Sequence, residues 1–388
     1  MTGRASTLEW IGFLLVAACL GVIQLSIFAG QSVLFTAAAL VWLVVAWRDR
    51  RRPETPRFFL PLVVYAALTL ASAAVSVDPR ASFIDSKQLV LWLMVPIVAR
   101  FARGSRATTA IDAVIAIGAA GALVGIVQYA MLGYDHVNQR PVGLLSHYMT
   151  YSGVLMLVAC AAVARLLYQP KEWVWPAVAV PALLAALAVT LSRSAYLGMA
   201  LALTVLLLVR NWKLVLIVPV VAVVGLALAP AVVRDRVRSV LDSNDASRRD
   251  RVAMLEMGVA ITRDHPFFGV GPEMIEKVYP QYRPASAVNP TNPHLHNVPV
   301  QIAAERGLLA LAAWLWFVGV ALWDLFRQVR RGPARAVAGA GLAAVVGMLG
   351  AGLLEYNFGD SEFLMLFLGL ITLPFAAATD AGREAPAP

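Results

Sequence analysis

Leu308 to Trp323 reads LLALAAWLWFVGVALW, sixteen consecutive residues without a charge. A bilayer core takes about 20 apolar residues of helix to cross, and with its flanks this run becomes a membrane span at 308–326. Working outward, comparable runs rich in Leu, Ala and Val fall at 8–26, 31–47, 58–76, 88–101, 109–131, 149–168, 173–191, 195–210, 214–232, 336–354 and 361–378, giving twelve spans in all. The residues run on without the alternation of a closed β-barrel, so the fold class is an all-α integral membrane protein. Apolar residues make up 60% of the 388, and the polar ones sit in short breaks between runs. The first run is followed at once by a second and lacks a small-residue cleavage site, so it reads as a retained span.

Basic residues favour alternate connections. Arg48, Arg50, Arg51, Arg52 and Arg57 lie on one side, with Arg100, Arg103, Arg106, Arg210, Lys213, Arg327, Arg330, Arg331 and Arg335; the opposite short loops hold Arg80, Lys87, Arg140 and Arg193. Under the positive-inside rule both termini are cytoplasmic, and the long polar segment 233–307 lies outside. The net charge of +9 is largely this topogenic charge. Aromatic residues do not interleave with it as in a base-stacking groove, so no nucleic-acid partner is expected. Cys19 and Cys160 lie within apolar runs and read as small core residues; they form no disulfide framework or metal motif. Residues 1–388 read as one polytopic domain, with a short tail, 379–388, expected to be disordered.

Chemistry is therefore expected in the outer loops. In the large one, Ser247 followed by Asp250 resembles a capping box, and Val252, Leu255, Val259 and Thr262 recur at helical spacing. The pattern predicts a surface helix over 248–263 carrying Arg248, Arg249, Arg251 and Arg263. It ends in Asp264-His265-Pro266-Phe267-Phe268-Gly269-Val270-Gly271-Pro272, where proline and glycines impose a turn. Beside arginines, such a turn either cradles a phosphate through its N–H groups or merely ends a basic helix lying near lipid headgroups.

Further on, His294-Leu295-His296-Asn297 precedes Val298-Pro299, and Gly307 follows Asn297 after nine residues. Ionisable groups at a membrane edge are costly and usually functional. Pro299 fits a first helical turn only, which puts His296 or Asn297 at the N-cap. A helix N-terminus favours a neutral imidazole, the form that acts as a base. The other reading of His296 is a hydrogen-bonded loop residue. Two histidines alone leave a metal site without its remaining ligands, so no metal is expected. Leu191-Ser192-Arg193-Ser194 pins Arg193 at the outer boundary, where it either snorkels to headgroups or contacts an anionic ligand. Glu355 and Asp360, between the last two spans, are possible orienting partners for a His or Arg.

These residues resemble the O-antigen ligase and polymerase superfamily of bacterial membrane glycosyltransferases, and most closely its ligase branch. His296-Asn297, nine residues and Gly307 are similar to the ligase signature; Asp264-His265-Pro266 through Gly271 resembles the family's loop turn; Ser192-Arg193-Ser194 and Arg251 resemble its arginine positions. Ala310 departs from the pattern, which usually has Gly, Thr or Tyr there.

The resemblance implies a GT-C-like fold, localisation in the inner membrane, and transfer of a glycan from undecaprenyl-pyrophosphate to a sugar hydroxyl of the lipid A core at the periplasmic face. No cofactor or metal is implied. His296 would be the base, Arg193 and Arg251 the pyrophosphate ligands, with Arg249, Arg263, His294, Asn297, Asp360 and Glu355 in support. An O-antigen polymerase or a protein O-oligosaccharyltransferase of the same superfamily is the alternative. A transporter or flippase, which would call for charges in mid-span or paired broken helices, is a further one.

Overall fold

A bilayer offers no partner to free backbone groups, so apolar runs satisfy their N–H and C=O groups internally as helices. The computed structural model describes residues 7–50, 53–172, 174–239 and 245–381. In chain order the helices are α1 (Thr7–Val22), α2 (Thr36–Asp49), α3 (Phe59–Ala74), α4 (Pro79–Asp85), α5 (Met94–Phe101), α6 (Ser105–Met131), α7 (Tyr148–Tyr168) and α8 (Val174–Val189). They continue with α9 (Arg193–Arg210), α10 (Ile217–Leu228), α11 (Ala231–Arg238), α12 (Ala246–Asp264), α13 (Ile275–Tyr282), α14 (Val298–Arg331), α15 (Arg335–Gly352) and α16 (Ser361–Ala381). No strand occurs among the described residues.

Among the described residues, eight helical segments are long and apolar enough to cross a membrane, and four shorter apolar helices accompany them. Every run expected from the sequence coincides with one of these, and the chain is an all-helical multi-pass membrane protein. The run expected at 214–232 ends earlier, at Leu228, because Pro230 cannot continue the helix and starts α11 instead. At the C-terminus α16 runs to Ala381; the rest of the expected tail, like Arg51 and Arg52 and positions 240–244 of the large loop, lies outside the described residues.

The centre of the bundle is α7, α15 and α16, the most enclosed of the spans. The sequence of α15, RAVAGAGLAAVVGMLGAG, supplies small residues that let backbones approach closely. A Cβ on Gly198 of α9 would stand 2.6 Å from the Gly347 carbonyl oxygen, and one on Gly350 would stand 3.0 Å from the Gly198 Cα. This glycine crossing holds the start of α9, with Arg193, against the end of α15, where Leu353, Leu354 and Glu355 follow.

A second, smaller core lies above the spans. Met254, Met257 and Ile261 of α12 bury against Ile275, Val278 and Tyr279 of α13, with Val270, Leu295 and Ala304. The α12 helix is capped differently from the capping box read at Ser247 and Asp250. Asp245 is its N-cap and accepts from the Arg248 N–H at 2.9 Å, and Asp250 turns inward instead. The helix therefore begins two residues before the expected 248.

The glycine turn and Gly307 form one interlock. Gly307 breaks α14 with φ 81° and ψ 172°, a conformation that favours glycine, and its Cβ would lie 2.0 Å from the Phe267 carbonyl oxygen. Leu308 N–H then donates to the Pro266 carbonyl at 2.8 Å, while Val270 and Gly271 N–H donate to the Ala304 and Glu305 carbonyls at 3.0 and 2.8 Å. Ser72 of α3 completes the joint, its hydroxyl reaching the Phe268 and Glu305 carbonyls at 2.6 and 2.9 Å. The phosphate-cradle reading of this turn is thereby corrected: its N–H groups are taken up by carbonyls of the protein.

Candidate functional site

The site forms where α9, α12, the 288–297 segment and the link from α15 to α16 meet. Asn297 is the N-cap of α14: its side chain accepts from the Val300 N–H at 3.0 Å, and Pro299 sits in the first turn, as the sequence predicts. Its amide also donates to the Leu353 carbonyl at 3.1 Å. His296, one residue before the cap, has φ 52°, a left-handed conformation uncommon outside glycine. The bend turns its ring toward Glu355.

His296 Nδ1 and Glu355 Oε1 are 3.1 Å apart. Burial alone would push the Glu355 carboxyl up, but its hydrogen bond to His296 and the charges of His296 and Arg251 outweigh this and hold it below the usual Glu range. An ionised carboxylate only accepts, so His296 carries its proton on Nδ1. The nitrogen turned away from the carboxylate is Nε2, the atom through which a neutral imidazole accepts a proton.

Two arginines stand nearby. Arg251 donates through Nε to the Leu354 carbonyl at 2.9 Å and through Nη1 to the Ser247 hydroxyl at 2.7 Å. Arg193, its side chain only 7% exposed, pairs with Asp245 at 2.9 Å. It opens α9, so its charge meets the positive end of that helix dipole, an arrangement that favours an anion. Arg236 of α11 adds to the charge: it reaches the Leu191 carbonyl at 3.1 Å and lies 4.0 Å from Asp245. Burial, and then the charges of Arg193 and Arg140, push its pKa down to about 10, so it is still protonated at neutral pH. Arg251 is lowered too, first by burial, with Glu355 working against the shift.

His296, Arg193 and Arg251 border a cavity of ≈ 890 Å³. Its long wall is apolar, built from Leu184, Leu187, Met199, Leu203, Val221 and Leu255, and the polar groups that line it include Arg193, Arg248, Arg251, His296 and Asn297. α10 lines it too and has no buried residue. The cavity thus joins an imidazole and three arginines to a long run of apolar side chains. Among the described residues, no three His, Cys, Asp or Glu side chains converge to hold a metal.

The remaining expected residues fall elsewhere. Arg249 and Arg263 are exposed on α12 and do not line the cavity. Asp360 accepts from Thr150 and, at 3.1 Å, from the Phe363 N–H at the start of α16; the partner of His296 is Glu355. His294 is partly buried with its ring 5.4 Å from that of Tyr356, and burial, followed by the charge on His296, lowers its pKa. The sequence reading missed Arg236, Asp245 and Asp250. Asp245 was legible as a helix cap, being an Asp three residues ahead of the N–H it caps; Asp250 was read only as half of a capping box, and nothing local marked Arg236.

Fold and site together define a polytopic helical membrane protein with basic and imidazole side chains on the lining of a largely apolar cavity. Residues 178–315 match the family model described as O-antigen ligase. That stretch, less than half of the chain, holds Arg193, Arg251, the glycine turn and His296 to Gly307, and it is similar to the O-antigen ligase family. No curated protein matches the chain.

Proposed function

We propose that the protein is an O-antigen ligase, transferring a glycan from undecaprenyl-pyrophosphate to a sugar hydroxyl of the lipid A core on the periplasmic side of the inner membrane. The observation that carries this reading is that His296, backed by Glu355, lines one largely apolar cavity together with Arg193 and Arg251. The alternation of basic residues between connections supports cytoplasmic termini and an outer site.

The polyprenyl chain lies along the apolar wall and the diphosphate sits against the arginines. His296 Nε2 takes the proton of the acceptor hydroxyl as its oxygen bonds to the anomeric carbon. The bond from that carbon to the phosphate oxygen breaks, and its electron pair leaves with the diphosphate. Arginine suits this leaving group, since a planar fork binds two phosphate oxygens at once and stays charged. Direct displacement inverts the anomeric centre.

The test uses purified protein, a glycan linked to undecaprenyl-pyrophosphate, and lipid A core as acceptor. Ligation to lipid A core supports the proposal. Extension of the lipid-linked glycan with no ligation makes the protein a polymerase, transfer to a protein acceptor makes it an O-oligosaccharyltransferase, and translocation without transfer makes it a transporter.

A further inference from the structure

We propose that Asp250 is a positioning residue that sets the loop bearing His296 against the helix bearing Arg251. The inference rests on the roles assigned above to His296 and Arg251.

Asp250 is 5% exposed and belongs to the α12 helix, next to Arg251 in sequence. Adjacent helical residues point in different directions, so the same turn sends Arg251 to the cavity and Asp250 into the loop. Oδ1 accepts from the Val288 and Asn289 N–H groups, both at 3.1 Å, and Oδ2 accepts from the side-chain amides of Asn289 and Asn292, both at 2.8 Å. One carboxylate thus takes four donors from five consecutive residues. Amide and backbone donors held by a charged acceptor make strong, directional contacts.

Two residues after Asn292, the chain reaches His294. Between this anchor and the Asn297 cap, Leu295 fixes the path: it is 1% exposed in the α12 core, and its N–H donates to the Gln301 side chain at 2.6 Å. The left-handed bend at His296 is therefore held from both sides, by Asp250 upstream and by Asn297 downstream. Catalysis that depends on two groups from separate segments loses about 100-fold in rate when one moves by 1 Å. Asp250 is the group that ties these two segments together.

The test is Asp250→Asn in full-length protein in nanodiscs. Its amide presents donors to the Asn289 and Asn292 amides, so the Oδ2 contacts fail while the backbone contacts survive. The expected result is a fall in kcat of about 100-fold, with affinity for undecaprenyl-pyrophosphate as the probe changed less than about threefold, under 1 kcal/mol. Adding Asn292→Asp restores an acceptor opposite the new amide and should recover most of kcat. Wild-type kcat in Asp250→Asn, equal loss of affinity and kcat, or failure of the double variant to recover at an unchanged melting temperature would overturn the proposal. If Asp250→Asn does not fold, Asn292→Ala, which removes a donor from the loop side, decides between the same outcomes. His296→Ala run in parallel separates the two levels: full activity there ends the base assignment, whatever Asp250 does.

Discussion

His296 Nδ1 meets Glu355 Oε1 at 3.1 Å across a separation of 59 residues, so the carboxylate that fixes the histidine tautomer comes from a connection between two membrane helices. Glu355→Gln keeps the shape and loses the charge, and the amide can hold the ring in the wrong tautomer. The rate of glycan transfer is expected to fall by about 10²- to 10⁴-fold, with little change in acceptor KM. His296→Ala should fall at least as far. A wild-type rate in either variant would remove the dyad from the chemistry.

Arg193→Lys keeps the charge but loses the fork. Most activity should go, with weakened binding of undecaprenyl-pyrophosphate. Were Arg193 only a headgroup anchor, lysine would serve equally and transfer rates would match wild type.

Asp245 pairs with Arg193 at 2.9 Å, so a diphosphate binding to Arg193 competes with that carboxylate. Asparagine caps helices as well as aspartate does, so Asp245→Asn removes the competitor and keeps the start of α12. Tighter binding of undecaprenyl-pyrophosphate, by several-fold, is the expected outcome in a titration at fixed ionic strength; weaker binding would mean that Asp245 orients Arg193 instead of blocking it.

Gly307→Ala places a methyl where the Phe267 carbonyl stands, in a backbone conformation that side chains avoid. Holding a non-glycine residue there costs on the order of 1–3 kcal/mol, and the clash adds to it. A lowered melting temperature should appear without any change at α1 or α2, readable by hydrogen exchange confined to the 264–308 region.

Acid should destabilise the fold in two steps. Burial lowers the pKa of His294, so the unfolded chain takes up its proton first, near the ordinary value of about 6.5. Stability is then fully present above that pH and is lost as pH falls through the folded value. Glu355, also lowered, gives its contribution above the ordinary Glu value of about 4.3 and loses it at still lower pH. Thermal melts from pH 8 down to about pH 2 should show the first loss disappear in His294→Gln and the second in Glu355→Gln.

The fold was legible because membrane insertion writes itself locally: about twenty apolar residues in a row mean a helix whatever lies around them. The Asn297 cap was legible for the same reason, since Pro299 constrains only its neighbours. Glu355 and Asp360 were indistinguishable by that standard. Both are carboxylates in one short connection, and only the glycine crossing of α9 and α15 decides that Glu355 faces the histidine while Asp360 starts α16. The arginines divided similarly. Helical spacing placed Arg249, Arg251 and Arg263 on one helix, but the buried face of α12 selects Arg251. Arg236 became visible only when α11 folded back toward Leu191.

The interlock at Gly307 turns the interval from Asn297 into a ruler. One end is a cap that fixes where the helix starts, and the other is a break that fits only against Phe267. An ideal helix turns about 100° per residue, so one residue inserted between them would rotate the histidine away from its carboxylate even though every side chain of the site remained. The short stretch from Arg283 to Ala287, after α13, carries no such gauge. Evolution and engineering can lengthen the loop there, and so reshape what approaches the base, while the base itself stays in register with the membrane.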